Sequence, residues 1–380
     1  MEHCDVLIVG GGPAGSTLAW ALRGSGLDVA VMDKRTFPRD KVCAGWITPA
    51  VVSALELDTQ AYARERVFQP IHGFRVSYIG GPEVDTYYNG APVSFGIRRR
   101  EFDHYLLQRC EARVLSGEPF KGMESSEGAW LVNGRIRTPL VIGAGGHFCP
   151  VARALGAKLG RSESVVAAQE VEFEMTPAQS AACSVREDMP ELFFCEDLKG
   201  YGWIFRKNGY LNIGLGREDN HRLSEHVAAA CDFMKARGKI PVDTPDAFKG
   251  HAYLLYNHAP RPLLSEGVLL VGDAAGLAYP QSGEGIRPAV ESALLAARVI
   301  RGAAGDYGKG RLEPYQQSMM RRFGERQASP GLSDRLPAAF RNFMARRLLA
   351  THWFTRNVVM DRWFLHVHEE PLEPLTEGAS

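Results

Sequence analysis

Gly10, Gly12 and Gly15 stand as G-x-G-x-x-G directly after the apolar run Val6–Val9. Glycines so spaced let bare backbone hold an anion. The first allows a tight turn, the second lets the chain approach a pyrophosphate, and the third lets a helix pack on the strand. Pro13 and Ala14 open that helix, whose unpaired N–H groups and dipole favour negative charge. Asp33 ends the next apolar run, 18 residues after Gly15, with Lys34 beside it. An acid there accepts hydrogen bonds from a ribose. The bland alternative is an accidental glycine turn, but strand, turn, helix, strand and acid fall in one register. The segment reads as a dinucleotide site.

The triplet alone does not separate NAD from FAD. Residues 268–286, VLLVGDAAGLAYPQSGEGI, favour FAD. A buried run delivers Gly272 and Asp273, whose carboxylate is placed to bond a ribityl or pyrophosphate-linked hydroxyl. Gly283 and Gly285 bracket a helix start at Ile286. Its N–H groups suit the pyrimidine edge of a flavin, where donors stabilise the charge of the reduced ring. An ordinary strand-to-helix connection is the alternative.

Two further groups invite chemistry. Lys41, Cys43, Ala44, Gly45 and Trp46 lie in a proline-bearing loop, residues 36–50. A thiol beside a redox ring either gives a proton to a substrate carbanion or simply packs. Tyr201, Trp203 and Phe205 alternate along a β-rich run, so they share one face. They form either an apolar wall for an isoprenoid chain or aromatic ring, or plain sheet core. Cys43, Tyr201 and Trp203 are the candidate catalytic residues. His72, His147 and His258 lack ligand-like spacing and read as structural, and no metal site is expected.

These residues need a scaffold. DVLIV, the run ending at Asp33, TPLVIGA and GVLLVG read as buried parallel strands. Residues 98–116 read as an amphipathic helix followed by a short strand. Residues 164–175, 191–196, 201–206 and 209–216 read as an antiparallel sheet, interrupted by a helix near 222–237. The expected fold class is α/β: a doubly wound Rossmann-like FAD domain with an inserted, mainly antiparallel β-sheet substrate domain (α+β) and a C-terminal helical segment. The FAD domain takes residues 1–70, 96–160 and 262–330. The substrate domain takes 71–95 and 161–261. C-terminal helices take 331–368, and the acidic, Pro-rich tail 369–380 reads as disordered.

The chain has 380 residues, 45% of them hydrophobic, and a formal net charge of zero. Neutrality argues against bulk nucleic-acid binding. Seven scattered cysteines with no C-x-x-C pair read as reduced thiols of a cytoplasmic protein. No apolar run is long enough for a transmembrane helix. Residues 338–365 mix large apolar residues with Arg341, Arg346, Arg347, Arg356 and Arg362. Such a segment either lies peripherally on an anionic membrane or covers the substrate cavity.

The motifs GGGPAG, RRREFD, GAGGHFCPVAR and VGDAAG together resemble the p-hydroxybenzoate hydroxylase superfamily of FAD enzymes. FPRDKVCAG and YGWIFRK narrow the likeness to its geranylgeranyl reductase family. The FAD part covers residues 5–50, 96–146 and 267–290. The resemblance implies that Arg99 reaches FAD phosphate or ribose, and that Val114 meets the adenine through its backbone. It places Ala144 and Gly145 at a cofactor-facing strand end, and Lys41 to Gly45 near the isoalloxazine. It implies that Trp46, Tyr201, Trp203 and Phe205 line a lipid tunnel. Gly145 stands where the family has Asp, Ala44 where it has Gly, and Arg206 where it has Pro. The implied activity is FAD-dependent reduction of C=C bonds of an isoprenoid or other apolar substrate, by hydride from flavin N5. NAD(P)H or another donor docks transiently. The alternative is an FAD monooxygenase of an aromatic or secondary metabolite; a halogenase or a non-catalytic flavoprotein fits less well. Nothing in the chain sets an oligomeric state.

Overall fold

The computed structural model describes residues 1–158, 163, 165–219, 222–256, 261–326 and 337–372. His258 and the tail beyond Leu372 lie outside the described residues.

Along the chain the main elements are β1 (Val6–Val9), α1 (Pro13–Ala21), β2 (Val29–Asp33), β3 (Gly73–Tyr78) and β4 (Val84–Tyr87). Then come α2 (Arg99–Gln108), β5 (Arg113–Ser116), β6 (Leu140–Gly143), β7 (Val166–Glu174), β8 (Glu191–Phe194), β9 (Gly200–Lys207) and β10 (Tyr210–Arg217). The chain continues through α3 (Leu223–Ala236), β11 (Lys249–Tyr253), β12 (Leu264–Ser265), β13 (Val268–Leu270), α4 (Ile286–Gly302), α5 (Lys309–Phe323) and α6 (Ala338–Leu349).

One sheet has the order β12–β13–β6–β1–β2–β5 and is parallel except at β12. All four β1 side chains are buried, because a parallel strand is covered on both faces. α1 is buried along its whole length. Its close packing needs glycine: a Cβ on Gly15 would lie 1.9 Å from the Gly10 carbonyl oxygen.

The second sheet has the order β11–β7–β10–β9–β8–β3–β4 and is antiparallel except where β8 runs parallel to β3. Alternation splits its two faces. Val171, Ile204, Leu211, Ile213 and Leu215 pack with Val227, Ala230 and Met234 of α3. Tyr201, Trp203, Phe205 and Lys207 point to the other side, toward the first sheet. A small sheet of Trp46–Ile47, Phe68–Ile71 and Ser94–Ile97 joins the two, pairing residues across the expected boundaries at 70/71 and 95/96.

Two local expectations, for residues 98–116 and for the loop 36–50, need correction. The run 98–116 is not one helix. α2 stops at Gln108, Glu111 takes a left-handed backbone (φ 55°), and residues 113–116 pair with β2, Val114 opposite Val31. Pairing on a sheet edge outweighs a marginal local helix preference. α1 ends at Ala21, ahead of the turn through Gly24 and Gly26. The loop 36–50 contains the strand Trp46–Ile47 and the first residues of a helix that begins at Pro49. Among the described residues no helix is long and apolar enough to cross a membrane.

Gly15→Ala forces α1 off β1. We expect it to cost about 3 kcal/mol in urea unfolding; an unchanged midpoint would contradict this packing.

Candidate functional site

The C-terminal ends of β1, β2 and β6 and the inner face of the second sheet enclose a cavity of about 660 Å³. In an α/β sheet this crevice is where ligands bind. One end is lined by Gly10, Gly12, Pro13, Ala14, Asp33 and Lys34. Lys41, Cys43, Ala44, Gly45, Trp46 and Arg99 line a side, with Ala144 and Gly145 near them. Asp273, Gly283, Gly285 and Ile286 follow, and Tyr201, Trp203 and Phe205 form the far wall. Three expected residues are absent from the lining. Gly15 and Gly272 act through packing: a Cβ on Gly272 would come 2.9 Å from the Ala14 Cβ, so it lets the second fingerprint approach α1. Val114 stands exposed on the outermost strand, opposite Val31 of the strand that ends at Asp33.

The polar end carries surplus positive charge. Arg99 donates to Asp103 through Nε and Nη2, at 2.7 and 2.8 Å, and Arg39 reaches the same buried carboxylate at 3.2 Å. Lys41 has no carboxylate within ion-pair reach among the described residues. Its Nζ lies 2.6 Å from Nε2 of His251. Burial pulls the Lys41 ammonium down to about 8, against the opposing pull of Asp273. Burial, then Lys41, push His251 far below the usual imidazole range, so it is neutral. Asp33 accepts the N–H groups of Gly11 and Arg35, each at 2.8 Å, which fixes its carboxylate at the strand end. Two arginines sharing one carboxylate and a lysine with none, beside the open N-terminus of α1, fit a diphosphate. Two buried atoms lining the cavity, Glu284 Oε2 and His147 Nε2, lack hydrogen-bond partners among the described residues.

A polar network behind the Cys43–Gly45 segment fixes it in place. Lys207 Nζ donates to the carbonyls of Ala44 and Ile97, each at 2.9 Å, and to Glu172 at 2.8 Å. Asn212 donates to the Cys43 carbonyl at 3.2 Å and accepts from the Trp203 indole at 2.7 Å. The N–H of Cys43 donates to Glu170 at 2.5 Å. Burial, helped by nearby Glu172, pushes the Glu170 carboxyl up to about 8 although Lys207 opposes it. Burial would raise Glu172 too, but Lys207 brings it below the ordinary range. The Arg99 guanidinium also reaches the Cys43 thiol.

The far wall is apolar. Trp46 meets Phe74, Phe205 and Phe364 edge-on at 5.2, 5.1 and 5.7 Å. Tyr201 donates its hydroxyl to the Ser282 carbonyl and packs on Phe364 at 5.2 Å. Val359, Met360 and Phe364 join Trp46, Phe74 and Phe205 in one core cluster, so part of the C-terminal segment closes this end.

Glu170, Asn212, His251, Tyr253 and Glu284 escape the sequence reading, and Lys207 enters it only as a motif match. His147, read as structural, lines the cavity. One signal was present: Glu170 and Glu172 alternate with Val171 and Phe173 on a strand otherwise suited to burial. Two acids on one face of such a strand demand a partner.

The Glu170 shift has a pH consequence. Between its ordinary value of 4.5 and about 8 the folded protein binds more protons here than the unfolded chain. This group's contribution to stability therefore declines as pH rises through that window. Urea titrations across it should show a flatter decline for Glu170→Gln than for wild type; equal slopes would contradict the shift.

Residues 5–78 match the family model for FAD-dependent oxidoreductases. An uncharacterized protein of Methanosarcina barkeri is 30% identical over 312 residues, which cover 79% of this chain and 75% of that protein. The digeranylgeranylglycerophospholipid reductase of Methanocaldococcus jannaschii is 27% identical over 329 residues, covering 82% and 81%. The crystal structure of a geranylgeranyl bacteriochlorophyll reductase-like protein from Thermoplasma acidophilum shares the fold, with a TM-score of 0.72 at 23% identity over 92% of this chain and 88% of that one. With the glycine turn, the cationic end and the aromatic wall of one cavity, these likenesses place the chain in the geranylgeranyl reductase family of FAD-dependent oxidoreductases.

Proposed function

We propose that the chain reduces carbon–carbon double bonds of an isoprenoid or similarly apolar chain lodged against the Tyr201–Trp203–Phe205 wall. The observation that carries this reading is the polarity of this cavity, cationic at the α1 end and aromatic at the other. A site that must hold a charged cofactor and a greasy substrate together needs both. The relative named a digeranylgeranylglycerophospholipid reductase points to the same substrate chemistry.

FAD held here would supply the redox chemistry, with NAD(P)H or another donor as the source of reducing equivalents for the double bond. The residues do the rest. The amides of Gly12 and Ala14, with Lys41, Arg39 and Arg99, counter the diphosphate. Asp33 binds a ribose and Asp273 a ribityl hydroxyl. The amides from Gly283 to Ile286 face the ring and favour charge on it. Lys34, Ala144 and Gly145 complete the cofactor face, and Trp46 belongs to the substrate wall. Cys43 holds the proton for the substrate carbon, and Arg99 stabilises the thiolate left behind. Burial raises the Tyr201 phenol well above its ordinary range, so it stays protonated and anchored on Ser282. Its part is to shape the wall with Trp203, whose indole Asn212 holds.

Reduced enzyme mixed anaerobically with polyprenyl lipids should lose its reduced-flavin absorbance, and the product should gain two hydrogens per bond by mass spectrometry. Oxygen incorporation from labelled dioxygen, with no anaerobic turnover of any polyprenyl lipid, would overturn the reading.

A further inference from the structure

α6 is built inside out. Its inward side carries Asn342, Ala345, Arg346 and the buried Leu349. Arg346 donates to the Glu196 carbonyl at 3.1 Å and lies over the Tyr78 ring, which docks this polar side at the ends of β3 and β8 in the second sheet. The opposite side shows Phe340, Phe343, Met344 and Leu348, with exposures of 50%, 55%, 41% and 39%. Their spacing places them on one stripe. Trp353, 67% exposed, follows just beyond the helix. The apolar stripe of a surface helix ordinarily faces the core. A contiguous exposed stripe of large apolar side chains marks a contact surface instead.

The surroundings indicate the occupant. Of the five arginines in residues 338–362, Arg346 and Arg356 are bonded to the carbonyls of Glu196 and Tyr87, while Arg347 and Arg362 are exposed; the one acid is Asp361. That carboxylate accepts the Tyr88 hydroxyl at 2.5 Å. Arg347 lies over the Phe343 ring at 5.4 Å, within the stripe itself. A second copy docking by two-fold symmetry would set the same arginines against each other. An anionic lipid surface matches both the charge and the greasy face.

We propose that the outer face of α6, with Trp353, docks this protein on an anionic bilayer surface. The same stretch of chain then runs to Phe364, which touches Trp46 and Tyr201 at the apolar end of the cavity. Delivery of a membrane-borne chain to that wall rests on the function proposed above; docking itself does not.

The test uses the full-length, FAD-loaded protein in flotation with vesicles of mixed phosphatidylglycerol and phosphatidylcholine, and of phosphatidylcholine alone. Wild type should float with the anionic vesicles and bind less as salt is raised. Phe340→Ser/Phe343→Ser/Met344→Ser/Leu348→Ser should lose partition by about tenfold or more, with flavin absorbance and thermal midpoint retained. Arg347→Glu/Arg362→Glu, which leaves the apolar stripe intact, should weaken anionic binding as well. Retained turnover of a short, soluble prenyl analogue by the serine variant would place its defect in docking; loss of that turnover in wild type would instead count against the reductase reading. Wild type that floats with neither vesicle overturns the proposal. So does a serine variant that floats like wild type, or a concentration-dependent dimer that the serine substitutions abolish while no vesicle binding is seen.

Discussion

The ammonium of Lys207 sits where water does not reach, and the seam between the two sheets depends on it. All three of its donors are used: two on backbone carbonyls, Ala44 and Ile97, and one on Glu172. An unpaired charge in that position would cost several kcal/mol or more. A fully satisfied one fixes a unique geometry. Gly45 makes room, since a Cβ there would stand 2.8 Å from the lysine nitrogen. The Cys43–Gly45 segment of the loop 36–50 is thereby fixed to the face of the second sheet that carries Trp203 and Phe205. Asn212 couples the two more tightly, holding the Cys43 carbonyl with one end of its amide and the Trp203 indole with the other.

That seam divides the cavity by chemistry. On the side of the first sheet lie the helix N-terminus, Arg39, Lys41 and Arg99. On the side of the second lie aromatic rings packed edge to edge. Burial strengthens electrostatics in such a space. It lowers the Lys41 ammonium to about 8 and raises the carboxyls of Asp273, Glu170 and Glu284, each shift being toward the neutral form. The docking face on α6 extends the apolar side outward through the C-terminal segment.

Much of this was legible in the chain itself. The glycine triplet, Asp33 and the G-D of the second fingerprint are local signals, and each falls on the expected strand end. The alternation of Tyr201, Trp203 and Phe205 put them on one face, as found. The missing parts depend on register between distant strands. Asn212 meets Trp203 because β9 and β10 pair with Phe205 opposite Asn212, and no local pattern sets that pairing. His251 reaches Lys41 only because β11 pairs with β7 at the sheet edge. The end of α2 depends on the same kind of pairing: residues 113–116 take the edge position beside β2. Val114, placed by family likeness alone, pairs with Val31 on the outermost strand and is not among the residues that line the cavity. The basic, apolar C-terminal segment left two alternatives open, a membrane face and a cavity cover. Its residues divide between an outward stripe and an inward core.

The central claim is that the unpaired positive charge around Lys41 holds the diphosphate of FAD. Flavin fluorescence quenching on the apoprotein measures it directly. Wild type should bind FAD and turn yellow, and Lys41→Met should bind it about tenfold or more weakly while unfolding at an unchanged urea midpoint. Equal affinity for the two proteins, or a wild type that stays colourless with FAD, would contradict the account.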